Sequence, residues 1–115
     1  SLYRQAAEQG HAKSMNVLGR YLEDGRFCGQ DLEAAVDWYR RSAEGGDFRG
    51  QFSYAAVLAD RGQIDAALEW LRKALAGGNL KFLRVAQTAL AAAQDPQIQA
   101  MAVDYQKRTE QLANL

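Results

Sequence analysis

Small and apolar residues recur along this chain at intervals of three and four, the period of a helix with one buried face. Ala12, Met15, Leu18, Gly19 and Leu22 share such a face, which predicts a helix from Ala12 to about Asp24. A loop, Gly25 to Gln30, follows. Asp31 then stands where an N-cap carboxylate accepts the free N–H groups of a first turn, opening a helix that runs to about Glu44. Its inward stripe is Ala34, Ala35, Trp38, Tyr39 and Ala43, with Asp37, Arg40, Arg41 and Glu44 mostly in water. Gly45-Gly46 ends it, because glycine takes the left-handed conformation after a helix at little cost. The same reasoning predicts helices from Asp47 to about Arg61, Ile64 to Ala76, Asn79 to about Ala93 and Pro96 to about Leu112. Asn79 is a good cap, and Asp95-Pro96 is a strong start, with Asp as cap and Pro at the first helical position.

These helices repeat. Ala34, Ala35, Trp38 and Gly46 recur as Ala66, Ala67, Trp70 and Gly78, an offset of 32 residues. Tyr3 to Gly10 foreshadows Tyr39 to Gly46 at an offset of 36. Seven residues separate Asp24 from Leu32 and three separate Asp60 from Ile64, which accounts for the change of period. Repeats of roughly 20–50 residues signal a solenoid, in which each unit buries its apolar face against its neighbours. Residues 1–10 read as the end of a preceding repeat, 11–46 and 47–78 as repeats, and 79–115 as a degenerate C-terminal repeat or cap. The last helix keeps Ala102 and Tyr105 near the Ala and Trp positions and is otherwise polar. Leu2 and Tyr3 align with Trp38 and Tyr39, which puts Ser1 in mid-helix. The expectation is a single helical-repeat domain over 1–115, cut from a longer protein.

Leu18-Gly19, Leu22, Gly25, Asp31, Ala34-Ala35, Trp38-Tyr39, Ser42-Ala43 and Gly46 together resemble the Sel-one-like repeat, a tetratricopeptide-like unit with a variable loop between its helices. Gly50 to Ala55 is similar to the family's small-x-aromatic run, with Ala55 where Gly is usual. The resemblance covers about residues 2–93 and weakens beyond. Phe27-Cys28 departs from the Gly-Val common in the loop, and the second unit's shortened loop is closer to a plain tetratricopeptide repeat. Secreted members linked to β-lactamase activity or binding carry a cysteine pair in each repeat, which this chain lacks, so that activity is not carried over. What the resemblance implies is an all-α, right-handed superhelical solenoid of antiparallel helix hairpins, with first helices lining a concave surface and second helices the outer one. It also implies an adaptor that holds protein complexes together, often in bacterial signalling, envelope assembly or host interaction.

Composition narrows the chemistry. Lys+Arg and Asp+Glu number 14 each, so no bulk field favours nucleic acid or an anionic membrane. No apolar run approaches the roughly 18 residues of a membrane span. Cys28 is the only cysteine and His11 the only histidine, which excludes an internal disulfide and disfavours a Cys/His zinc site. The cytoplasm fits the missing disulfide, with the periplasm left open. Trp38 and Trp70, at equivalent positions, read as inter-helix packing and not as ligand-stacking residues. Cys28 reads as a small apolar plug under the loop, since Arg26 alone is placed to activate a thiol. His11 begins a helix and has no Ser or Cys partner defined by the sequence, so a general-base role is set aside. Glu23/Asp24 and Asp60/Asp65 read as solvated helix ends. No catalytic residue, metal ligand or cofactor is expected.

Lys13, Arg49 and Lys81 occupy the same early position of each first helix, the position that in tetratricopeptide-like solenoids points into the concave surface. Arg20 and Arg84 could join them on nearby turns. The five read either as a basic stripe suited to an acidic segment or a carboxylate terminus, or as plain solubilising charge. A carboxylate clamp also wants asparagines four residues after the cations, where this chain has Val17, Ser53 and Val85, so a true clamp is not expected. The expected function is a non-catalytic scaffold that binds another protein or peptide through its concave face. A regulatory or substrate-docking arm of an enzyme, or a cell-envelope assembly factor, are the alternatives.

Overall fold

The structure, a computed structural model, describes residues 4, 6, 7, 10–25 and 31–115. The expectations for Arg26, Phe27 and Cys28, and for the helix phase of Ser1, Leu2 and Tyr3, lie outside those residues. The described residues form α1 (Ala12–Asp24), α2 (Leu32–Glu44), α3 (Phe48–Asp60), α4 (Ile64–Gly77), α5 (Leu80–Ala91) and α6 (Pro96–Ala113), with no strand among them. The chain is all-α, built from the hairpins α1–α2, α3–α4 and α5–α6, whose paired helices make the most extensive contacts.

Capping side chains fix four of the six starts. Asp31 accepts from Ala34 N–H, Asp47 from Gly50 N–H, Asn79 from Phe82 N–H, and Asp95 from Gln97 and Ile98 N–H, at 2.8–3.1 Å. Each satisfies backbone donors that the helix itself leaves unpaired. At α1 and α4 the capping positions are His11 and Gln63, and neither side chain makes that bond. His11 Nδ1 lies 2.8 Å from Ser14 Oγ, so it does have a hydroxyl neighbour, one turn along, that the sequence reading did not supply.

Of the three glycine stops, Gly46 is left-handed at φ +89° and Gly10 at φ +86°. Gly78 is not: it is extended, at φ −72° and ψ 147°. The constraint there is space, since a Cβ on Gly78 would sit 2.6 Å from the Phe82 ring and 2.9 Å from Ala74 O.

Among the described residues, two apolar clusters form the interior. Ala7, Met15, Leu18, Leu22, Ala35, Trp38 and Tyr39 make one, and residues of α3 to α6 centred on Leu83, Ala86 and Tyr105 make the other. Tyr54 packs against both. Each large apolar side chain so buried contributes about 1.5–3 kcal/mol. Trp38 is core as expected, while Trp70 is half-buried and edge-on to Tyr54, ring centroids 5.7 Å apart. Arg41 and Lys73 lie 4.3 and 4.2 Å over the Trp38 and Trp70 rings. Arg41 therefore covers its Trp and is not simply solvated. Ala34, expected in the buried stripe, is only half-buried.

Close helix crossings depend on small residues. Ser42 Oγ donates to Ala12 O at 2.6 Å, and a Cβ added at Gly50 would collide with that same Ser42 hydroxyl. Gly19 lies against Tyr39 in the first hairpin, where an added Cβ would come within 2.7 Å of the ring. On the outer side, Tyr105 is fully buried and donates to Leu71 O at 2.7 Å, docking α6 on α4. Burial raises its phenol pKa.

Candidate partner-binding groove

The three first helices α1, α3 and α5 share one open groove of about 450 Å³, with Tyr39 of α2 at its base. The three helices run the same way. The Phe48 and Phe82 rings, at the starts of α3 and α5, are 4.8 Å apart, and Phe52 meets Phe82 edge-on at 5.6 Å. Ser53 Oγ donates to Asn16 Oδ1 at 2.8 Å and ties α3 to α1 in the same register. Toward their C-terminal ends α3 and α5 flank a smaller cavity of about 190 Å³, lined largely by Ala55, Ala56, Ala59, Ala89 and Ala93. Phe52, Ala56, Asp60 and Ala89 line both spaces, so they adjoin.

The apolar lining of the groove includes Phe52, Val57, Phe82, Val85, Ala86 and Ala89. Val85 is 67% exposed, among the most exposed large apolar side chains of the described residues. Arg20, Arg49 and Lys81 also line the groove. Arg49 is stacked over the Phe48 ring at 4.6 Å, which holds its guanidinium in place. Lys13 and Arg84 are exposed and outside it. The groove begins at Asn16, one turn beyond Lys13. Its α5 wall is the stripe Lys81, Phe82, Val85, Ala86 and Ala89, and Arg84 projects roughly 130° around the helix from the middle of that stripe, at about 100° per residue.

Two carboxylates, Glu23 and Asp60, line the same groove. Glu23 is more than a solvated helix end, because it accepts the Tyr39 hydroxyl at 2.8 Å. Burial, and then this hydrogen bond to a carboxylate, push the Tyr39 phenol above its ordinary pKa. Sequence reasoning missed Glu23, Asp60, Phe52 and Val85 as groove residues. Val85 was legible only as a failed clamp position, four residues after Lys81, although an apolar residue on a charged helix face is itself a signal.

A second, shallower cleft lies between α4 and α6, where Arg72, Lys107, Arg108 and Asp104 surround Leu75 and Met101. Among the described residues no group of three or more His, Cys, Asp or Glu side chains is placed to hold a metal ion. No helix of the described residues is long and apolar enough to cross a membrane. The sequence matches the family model of the Sel1 repeat over residues 1–11, 12–47 and 55–79. No solved structure matches the chain.

Proposed function

This chain belongs to the Sel1 repeat family, whose units are commonly protein–protein interaction modules, and from that premise we propose that it is a non-catalytic adaptor that docks a partner protein in the groove of α1, α3 and α5. The observation that carries this reading is Val85. It stands 67% exposed in a groove lined by Phe52, Ala56, Phe82 and Ala86, with Lys81 on the same helix and Arg49 on the neighbouring α3. Such a side chain gains by being covered, and the charges around it give the cover a preferred chemistry. The partner is therefore a segment that offers apolar side chains together with charge, and an acidic stretch suits the cations Arg49 and Lys81.

A photo-crosslinking amino acid placed at Val85, and separately at Val103 on α6, tests the reading. Val103 is the matched control, being 52% exposed and outside the groove. Adducts to a defined partner protein are expected from position 85 and absent from position 103. The reverse pattern would remove the groove from consideration.

A further inference from the structure

Resting on that reading, we infer that the groove takes a charge-ordered segment of its partner. Acidic side chains lie where α3 and α5 begin, apolar ones over Val85, and a basic one where α1 and α3 end. Arg49 and Lys81 are the second residues of α3 and α5, whereas Glu23 and Asp60 fall at the ends of α1 and α3. Because the three helices run in parallel, one end of the groove is cationic and the other carries the carboxylates. Arg20, one turn before Glu23, tempers the acidic end without cancelling it.

The backbone adds to this order. Helix N-termini carry partial positive charge and C-termini partial negative charge, so the aligned dipoles reinforce the side chains at both ends. That alignment is unfavourable to the helices themselves. Neither α3 nor α5 has an acidic residue in its first turn, and neither α1 nor α3 has a basic residue in its last. The outer helix α2 does the opposite, with Glu33 in its first turn and Arg41 in its last, and α4 opens with Asp65. Asp47, at the cationic end, is turned onto Gly50 N–H as a cap and does not line the groove. The groove helices thus set Arg49, Lys81, Glu23 and Asp60 against their own dipoles, and a bound segment of opposite order would relieve both ends at once. A helix of 13 residues is roughly 20 Å long, so about six extended residues span it.

Selection from a random dodecapeptide display library on the folded chain tests this. Enriched peptides should carry acidic residues at one end, two or three apolar residues, and a basic residue at the other. Arg49→Glu combined with Lys81→Glu should cut the acidic enrichment at least tenfold and leave the apolar enrichment, and Asp60→Lys should exchange the basic preference for an acidic one. Melting by circular dichroism checks that each variant is folded. Apolar peptides enriched without charge order, and unaffected by these variants, would overturn the inference while leaving the groove as a docking site. Peptides whose enrichment survives Val85→Asp, or no enrichment at all, would overturn both. A dimer dissociated by Val85→Asp would mean that a second copy fills the groove, and would also overturn it.

Discussion

Gly50 and Gly19 hold the helices at distances that no larger residue permits. In an open helix, Gly→Ala stabilises by about 1 kcal/mol. At Gly50 the new methyl would strike Ser42, whose hydroxyl is committed to Ala12 O. Overpacking should win, and Gly50→Ala is expected to destabilise by about 1–3 kcal/mol, read from the denaturant midpoint. The alanine at position 55, where the family prefers glycine, has a physical reason: Gly19 faces Tyr39, and the residue equivalent to Tyr39 in the second hairpin is Leu71. Tyr39 and Tyr105 make a second prediction. Both phenols titrate above 10.0 in the folded protein, from burial and, for Tyr39, from Glu23. Below that pH their contribution is present in full. As pH rises through the unfolded value near 10 toward the folded values, the unfolded chain releases protons that the folded one keeps, and stability falls. Denaturation curves between pH 8 and roughly pH 11–12 should show this fall, and Tyr105→Phe should flatten it. The same variant should cost about 1 kcal/mol at neutral pH, for the lost bond to Leu71 O. Gly46, left-handed at the end of its helix, and the buried Trp38 were legible in the repeat, because each follows from the pattern of its own helix. The Tyr39–Glu23 bond was not, because it joins residues 16 apart whose meeting depends on how α1 crosses α2.

Most helix boundaries were legible for the same local reason. Asp31, Asp47, Asn79 and Asp95 each cap within three residues of themselves, so sequence alone locates their helices. Gly78 was legible as the stop of α4, but its close approach to Phe82 was not, because that residue is on the next helix. Two starts are left uncapped, and α4 offers a clean test. Gln63→Ser should supply the missing bond and stabilise the protein by about 0.5–1 kcal/mol, seen as a rise in Tm of a few degrees. The inverted charges of the groove helices yield a prediction of opposite sign for folding and binding. Lys81→Glu puts a favourable charge in the first turn of α5 and should stabilise by about 0.3–1 kcal/mol, with the gain shrinking in salt. The same change should weaken partner binding. A Lys81→Glu protein that melts lower than the parent would contradict the placement of that charge against its dipole.

The assembled molecule has a radius of gyration of 14.1 Å, close to the roughly 13 Å of a compact domain this long, so the three hairpins stack as a block. Within it Tyr54 links two clusters that would otherwise be separate cores, and the near-neighbour packing is that of a short repeat array. The repeat, and hence the fold, was readable because each unit restates its own pattern. The groove was readable only in part. Register placed Arg49 and Lys81 on one face, but which residues line the groove depends on the relative rotation of three helices, which no single repeat encodes. That is why Glu23, Asp60 and Val85 emerge only in the assembled structure. The central claim is that a partner protein docks over Val85, and the affinity of the protein crosslinked from that position tests it directly. Val85→Asp should weaken binding at least tenfold (about 1.4 kcal/mol) with Tm unchanged, while Val103→Asp leaves affinity as it was. Full affinity in Val85→Asp, or a loss confined to Val103→Asp, would contradict the account.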